Sequence, residues 1–216
     1  MSREAFRLYL HAKSELNKLS PEGFINGTKY LEEALELDPN YSQALTLYAW
    51  KFTLVASADL NPGIGSTNES VALAKPIIDK AIALDPQGSD IHLVRAQMLL
   101  YLQNKIEDAK EDINKALAIN SWPRIPTNYC ICTAVSVFIA SDDKVKAEEI
   151  AELAKKIDPG HVLYDWDLGN IAMINNNYTK AQYHYEISVK KADIPFFNTF
   201  LGWSHYHNGQ YEEALK

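Results

Sequence analysis

One short phrase recurs along the chain and decides what the chain can fold into. Ala-Leu-Glu-Leu-Asp-Pro begins at residue 34, Ala-Ile-Ala-Leu-Asp-Pro at 81, Ala-Leu-Ala-Ile-Asn at 116 and Ala-Lys-Lys-Ile-Asp-Pro at 154. The intervals are 47, 35 and 38 residues, which indicates a unit of about 34 residues with insertions, the period of a helix-pair array. The repeat predicts an all-α solenoid whose stability is a sum of contacts between neighbouring pairs.

A second pattern places a small residue early in the second helix of each pair, one helical turn after a bulkier one. The small residues are Gly27, Ala74, Ala109, Ala147, Ala181 and Ala214. The residues three positions earlier are Phe24, Val71, Ile106, Lys144, Tyr178 and Tyr211, and five of these six are apolar or aromatic. Residues three apart lie on one helix face, so the pattern predicts a packing stripe on each second helix.

Proline and loop-forming residues set the expected boundaries. Asp-Pro at 38, 85 and 158 should end a helix, because a residue before proline is pushed out of the α region. Pro21 suits a first helical turn. Residues 58–68 and 122–126 lengthen two connections and read as loops. The expected domain is one array over 1–216, with about five and a half repeats at 4–37, 41–84, 88–119, 126–157, 160–191 and, incomplete, 195–216.

Charge and length narrow the classes of partner. The 216 residues carry 21 Lys and Arg against 28 Asp and Glu, a formal net charge of −7, so attraction to phosphate does not drive binding and nucleic acid is not expected as a direct partner. No stretch approaches the ~18 apolar residues that span a bilayer, and no signal-peptide pattern opens the chain. A cytoplasmic protein is expected. Cys130 and Cys132 point apart on a predicted helix and are read as small buried residues.

Two repeats near the C-terminal end share a further set of residues: Leu168-Gly169, Tyr178, Ala181, Leu201-Gly202, Gly209 and Tyr211-Glu212-Glu213-Ala214-Leu215. This set resembles the tetratricopeptide signature, which has Leu-Gly in the first helix, Gly at the turn and Tyr-x-x-Ala in the second helix. The resemblance covers almost the whole chain. It implies antiparallel helix pairs stacked in a right-handed superhelix, with the first helices lining a concave face. Ala96-Gln97 and Ala134-Val135 replace Leu-Gly in the middle repeats, so those repeats depart from the pattern.

The opening of the chain carries a narrower resemblance. Residues 5–10, 16–23 and 31–35 are similar to the tetratricopeptide region that follows the output domain of bacterial winged-helix transcription regulators and class III adenylate/guanylate cyclases. In such proteins the repeats imply a sensory or partner-binding role in signalling beside an effector domain.

The resemblance also indicates where a partner would bind. Aromatic side chains interspersed with amides and hydroxyls suit a peptide groove, because stiff rings bury area at a small entropy cost. The candidate contacts on the implied concave face are Trp50, Arg95, Met98, Tyr101, Trp166, Asn170, Phe200, Trp203, Tyr206 and His207. The alternative is that most of these aromatic residues simply pack between neighbouring helices. Only Arg95 and Asn170 resemble the clamp that holds chaperone tails, so that activity is not expected.

Catalysis and metal binding find no support in the sequence. His205 and His207 lie two apart on different helix faces. His161 and Asp165 have the spacing of metal ligands, but His161 is expected at a helix start. The glycines at 63 and 65 lack the lysine of a phosphate-binding loop. We therefore expect that the protein is not an enzyme and that it holds no cofactor or metal.

Three functions remain open at this point. The first is a non-catalytic scaffold that binds a protein or peptide, in the form of an extended segment or a helix, on its concave face. The second is the regulatory region of a transcription regulator or cyclase, and the third is a domain for self-association. The last pair lacks most of its second helix, so we expect the native protein to continue past Lys216. This segment alone should then fray from about residue 195 or associate through its C-terminal edge.

Overall fold

The computed structural model describes residues 2–16, 18, 20–53, 66–119, 128–193 and 195–215, with the backbone alone at 128–130. Twelve α-helices lie within these residues, and they contain no strand. The helices are α1 (Arg3–Leu16), α2 (Pro21–Leu37), α3 (Ser42–Thr53), α4 (Thr67–Leu84), α5 (Ser89–Gln97), α6 (Ile106–Ala118), α7 (Asn128–Ala140), α8 (Lys144–Ile157), α9 (Val162–Ile174), α10 (Tyr178–Lys191), α11 (Pro195–His207) and α12 (Tyr211–Ala214). A π-helical turn, Met98–Leu102, extends α5. The prediction of an all-α fold built from helix pairs is confirmed.

The Asp-Pro phrases end helices as predicted. Asp38, Asp85 and Asp158 are the C-cap residues of α2, α4 and α8, and each backbone N–H donates to the carbonyl oxygen four residues earlier at 2.9–3.0 Å. Pro21 opens α2, and the hydroxyl oxygen of Ser20 accepts a hydrogen bond from a first-turn N–H at 3.1 Å. Each helix end therefore satisfies backbone groups that the helix itself leaves unpaired.

The small residues of the packing stripe lie where second helices meet first helices. Ala74, Ala109, Ala147 and Ala181 are fully buried, whereas Ala214 on α12 is only partly buried. The stripe is thus covered in the inner pairs and partly open in the last one.

Four turns inside helix pairs share a left-handed residue. Asn104, Asp142, Asn176 and Gly209 have φ values of 51°, 58°, 56° and 76°. Asn and Asp tolerate this region better than other residues with a Cβ atom, and Gly adopts it without a steric cost. The sequence analysis recognised only the glycine, although Asn and Asp at the corresponding position carry the same signal.

Packing divides the chain into two compact units, 1–130 and 131–216. In the first unit, the largest buried side chains include Trp50, Leu31 and Ile78. In the second, Tyr164 and Tyr185 are the largest. The expectation of one array over 1–216 stays a prediction.

Several predicted features fall on residues outside those that the structure describes. They are residues 58–65 of the first long loop, the whole of 122–126, and the side chain of Cys130. Ser66, at the end of the first loop, caps α4 by accepting a hydrogen bond from the N–H of Glu69 at 3.2 Å. None of the helices described here combines the length and the apolar character that crossing a membrane requires.

Candidate functional site

A run of aromatic rings extends from α9 onto α11 in the second unit. The ring centroid of Trp166 lies 5.4 Å from that of Phe196 and 5.5 Å from that of Phe200. Phe196 and Phe200 are 5.1 Å apart, and Phe200 and Trp203 are 5.5 Å apart. We call these four residues the aromatic strip. These four ring pairs are tilted or edge-to-face, and aromatic quadrupoles favour edge-to-face arrangements.

The helical period explains why α11 presents these rings together. Phe196, Phe200 and Trp203 follow one another at four and three residues, so they lie on one face of the helix. Phe197 and Ser204, on the other side of α11, are buried. The helix is therefore fixed by one face and offers aromatic side chains on another.

Trp203 also lines an open groove beside the strip, with a volume of about 730 Å³. The exposed fraction of the residue surface is 58% for Trp203, 60% for Tyr206 and 89% for Leu215. We call this feature the terminal groove, and its lining residues are Pro195, Asn198, Thr199, Gly202, Trp203, Tyr206, Tyr211, Ala214 and Leu215. None of the described lining residues is charged, so contact with them is dominated by apolar area and aromatic rings.

A buried carboxylate fixes α9 against its neighbours. Asp165 is fully buried, and its oxygens accept hydrogen bonds from Lys155 Nζ on α8 at 2.6 Å and from Lys191 Nζ on α10 at 2.8 Å. The Nδ1 atom of His184 lies 3.1 Å from the same carboxylate. Burial alone would raise the pKa of Asp165, but the hydrogen bonds from His184 and both lysines outweigh it and hold that pKa well below its ordinary value. The network holds three helices together and positions the helix that carries Trp166.

A second buried carboxyl two residues later has the opposite environment. Asp167 is 1% exposed, and its Oδ2 has no hydrogen-bond partner among the described residues. Burial raises the pKa of Asp167 to about 7, and a hydrogen bond with the Cys132 side chain on α7, which acts in the other direction, does not offset this effect. The carboxyl is therefore a poorly solvated group inside the second unit and not an exposed ligand.

The polar members of the predicted site in this unit have partners within the protein. The Tyr185 hydroxyl donates to Asn170 Oδ1 at 2.8 Å. His207 stacks on Tyr178 with ring centroids 4.6 Å apart, and Tyr206 contacts Tyr211 at 5.5 Å. The structure thus places Trp166, Phe200 and Trp203 in one continuous cluster, with Tyr206 beside it in the terminal groove. The sequence analysis missed Phe196, although it lies one helical turn before Phe200.

The four candidate residues of the first unit have different environments. Trp50 is 1% exposed and Met98 is 3% exposed, so both are core residues. Tyr101 is exposed. Arg95 binds buried Asp112 through two nitrogens, with Nε 2.6 Å from Oδ2. Burial opposes ionisation of Asp112, but the hydrogen bonds from Arg95 and from His92 hold its pKa below the ordinary value.

Metal chemistry has no obvious location in the part of the chain that the structure describes. There, no three side chains of His, Cys, Asp or Glu are grouped closely enough to hold an ion. The clusters that do exist pair acids with Lys, Arg or His across helices, which is the arrangement of a structural network.

Solved structures with the same arrangement of helices identify the fold. PilW, described as a widely conserved type IV pilus biogenesis factor, matches with a TM-score of 0.69 at 15% identity, over 100% of this chain and 90% of PilW. YrrB, described as a TPR protein with an unusual peptide-binding site, matches with a TM-score of 0.52 at 13% identity, over 86% of this chain and 87% of YrrB. The fold is that of a tetratricopeptide-repeat protein.

Human IFIT1, solved as a dimer with PPP-AAAA, also shares the tetratricopeptide fold. The TM-score is 0.73 at 18% identity, and the match covers 91% of this chain but 44% of IFIT1, so the chain spans less than half of that protein. No protein-family model matches the sequence, and no curated protein matches it either. At these identities the likeness establishes the tetratricopeptide fold and leaves the partner open.

Proposed function

We propose that the chain is a non-catalytic protein-interaction scaffold, and that the aromatic strip with the adjoining terminal groove is where a peptide or helix of the partner binds. The observation that carries this proposal is the continuous run of rings from partly buried Trp166 to exposed Trp203. Tetratricopeptide neighbours serve typically as such scaffolds, and the description of YrrB names a peptide-binding site.

The strip has the physical properties of a binding anchor. Trp203 is held by Phe200, which is held in turn by Trp166 and by Tyr185 at 5.8 Å. Little side-chain freedom remains to be lost when a partner covers these rings, so most of the buried apolar area contributes to affinity. Exposed Asn198 and Thr199 border the groove and supply hydrogen-bonding groups that can fix the register of a bound segment.

The first unit, taken by itself, offers fewer candidate contacts. Trp50 and Met98 are core residues, and Arg95 is engaged by Asp112. We therefore retain only exposed Tyr101 as a candidate contact there, and we assign Trp50 and Met98 to packing, the alternative raised for the aromatic candidates at the outset.

Replacing Trp203 tests the proposal. Peptides selected from a random display library on the wild-type chain would be titrated against Trp203→Ala and against Tyr183→Ala. Tyr183 on α10 is 59% exposed, so it matches Trp203 in exposure but lies outside the strip and the groove. We expect Trp203→Ala to cost about 2 kcal/mol, roughly a thirtyfold loss of affinity, with unchanged circular dichroism. Tyr183→Ala should bind as the wild type does. Equal binding by both variants would contradict the proposal.

Self-association is a second candidate, because the terminal groove leaves Trp203, Tyr206 and Leu215 open to solvent. Exposed apolar surface of this kind favours contact with another protein surface. The role as a regulatory region of a transcription regulator or cyclase stays a prediction from the opening residues alone. RNA, which is bound in the IFIT1 structure, is not proposed for this chain, whose formal net charge is −7.

A further inference from the structure

The charges of the second unit are distributed unequally between its first and second helices. Residues 131–216 contain twelve Asp and Glu and eight Lys and Arg. The first helices α7, α9 and α11 contain no Lys or Arg, so all eight cations lie on α8, on α10 or at residue 216. Both helices that carry the aromatic strip therefore lack a cation of their own.

Among the described residues, four Lys side chains of α8 and α10 are paired with carboxylates. Lys155 and Lys191 both bind the buried carboxylate of Asp165. Lys146 pairs with Glu149 at 2.9 Å, and this pair lies on α8. Lys180 on α10 pairs with Glu148 at 2.6 Å. These four cations are therefore paired with carboxylates of the protein, while exposed Glu212 lies on α12, which contributes to the groove.

We propose that the partner segment is a cationic amphipathic one, with an apolar stripe flanked by Lys or Arg. This inference rests on the proposed function and adds the chemistry of the partner. An acidic segment would bring carboxylates to a unit that has an excess of acids and no Lys or Arg on the two helices of the strip. Lys and Arg are instead attracted by that excess and by the faces of exposed rings, of which indole is the strongest.

The charge pattern of the partner can be tested with three synthetic peptides. They share one apolar stripe of Leu and Phe at helical spacing, and their flanking positions are all Lys, all Gln or all Glu. Binding to the full chain would be measured by calorimetry in about 0.05 M and about 0.5 M NaCl. We expect the Lys peptide to bind roughly tenfold tighter than the Glu peptide at low salt, with a smaller difference at high salt.

A charge placed on the strip helix provides the matched control. Thr199 is exposed on α11 and lines the terminal groove, so Thr199→Lys adds a cation there, while Thr199→Gln adds similar length without charge. Thr179→Lys adds the same charge on α10, where Thr179 is exposed. We expect only Thr199→Lys to weaken the Lys peptide markedly and to strengthen the Glu peptide. Thr199→Gln removes the hydroxyl group without adding charge, so the charge effect is the difference between the Lys and Gln variants at residue 199. Thr179→Lys should change either affinity little.

Each outcome separates this inference from the function on which it rests. If the Gln or Glu peptide binds as tightly as the Lys peptide and Trp203→Ala still weakens binding, the strip is a docking site and the charge assignment is wrong. If the Lys peptide binds but ignores Trp203→Ala, its site lies elsewhere on an acidic surface, and the inference also fails. If no peptide binds, the proposed function is contradicted, and the inference falls with it.

Discussion

Two carboxyl groups two residues apart on α9 show how strongly burial and partners decide the behaviour of one residue type. Asp165 is buried with two lysines and a histidine, and its pKa is lowered. Asp167 is equally buried, one of its oxygens has no hydrogen-bond partner among the residues that the structure describes, and its pKa is raised. The first group stabilises the fold in its ionised form, whereas the second opposes folding once it ionises.

The raised pKa of Asp167 gives a pH dependence that can be isolated by substitution. The folded pKa is raised from an ordinary value of 3.8 to about 7. Between these values the unfolded chain loses the proton while the folded chain keeps it, so stabilisation present below about pH 4 is lost as the pH rises to about 7. We expect Asp167→Asn to remove this dependence of stability on pH. Between about pH 4 and pH 7 the free energy of unfolding of the variant should therefore rise relative to that of wild type, by an amount on the order of a few kcal/mol.

The measurement is urea unfolding of wild type and Asp167→Asn at several pH values, followed by circular dichroism. Asp165 and Asp112 act in the opposite sense, because their lowered pKa values cost stability only as the pH falls below about 4. The difference between the two proteins cancels those contributions. A difference that does not change between about pH 4 and pH 7 would show that Asp167 ionises normally in the folded chain.

Burial was the residue-scale property that the sequence could not supply. Trp50 and Trp203 both lie on first helices at positions assigned to one face. The structure buries Trp50 beneath Phe24, with ring centroids 5.8 Å apart, and leaves Trp203 exposed. Helical spacing specifies the direction of a side chain along its own helix. Whether another helix covers that side chain depends on packing between segments that are distant in sequence.

At the scale of elements, the helix crossings depend on glycines that are not equivalent. A Cβ atom added at Gly169 on α9 would lie 2.3 Å from Cε1 of buried Tyr185 on α10. At Gly202, one repeat later, the nearest atom would be the Ala214 carbonyl oxygen at 3.4 Å, an ordinary contact. Both glycines belong to a Leu-Gly pair, but only Gly169 lies against a buried aromatic ring, that of Tyr185.

We therefore expect Gly169→Ala to destabilise the protein by about 2 kcal/mol, because the α9–α10 crossing must open to admit the methyl group. Gly202→Ala should instead raise stability by about 0.5–1 kcal/mol, since alanine favours a helix over glycine. Thermal and urea unfolding of the two variants provide the comparison. Equal effects of the two substitutions would mean that the close approach at Gly169 does not constrain the crossing.

Elements were more predictable than contacts. Helix ends at Asp38, Asp85 and Asp158 follow from the restriction that proline places on its predecessor, and the structure ends helices there. The sequence predicted a regular helix pair over 88–119, whereas in the structure α5 is followed by a π-helical turn at Met98–Leu102. A change in hydrogen-bond register leaves no mark in hydrophobic spacing, since it is set by how the helix packs against others.

At the scale of the whole molecule, stability is expected to decrease toward the last helix pair. Residues of α12 are not buried, and α11 buries only Phe197 and Ser204. Helix pairs in such arrays gain stability from the neighbours that cover them. We expect amides of 195–215 to exchange faster with solvent than those of 89–118, or, if copies associate through the terminal groove, light scattering to rise with concentration. A strict monomer with equal protection in both segments would contradict this expectation.

The unequal placement of lysine and arginine also determines where proteases can cleave the second unit. Trypsin cleaves after Lys and Arg, so it has no cleavage site within α7, α9 or α11. Complete digestion leaves these helices intact in the fragments 125–144, 157–180 and 192–216. The rate of cleavage by trypsin thus measures the accessibility of the second helices and of the connections between helices. An enzyme that cleaves after aromatic residues would cut within the strip itself, and protection from that enzyme would locate a bound partner directly.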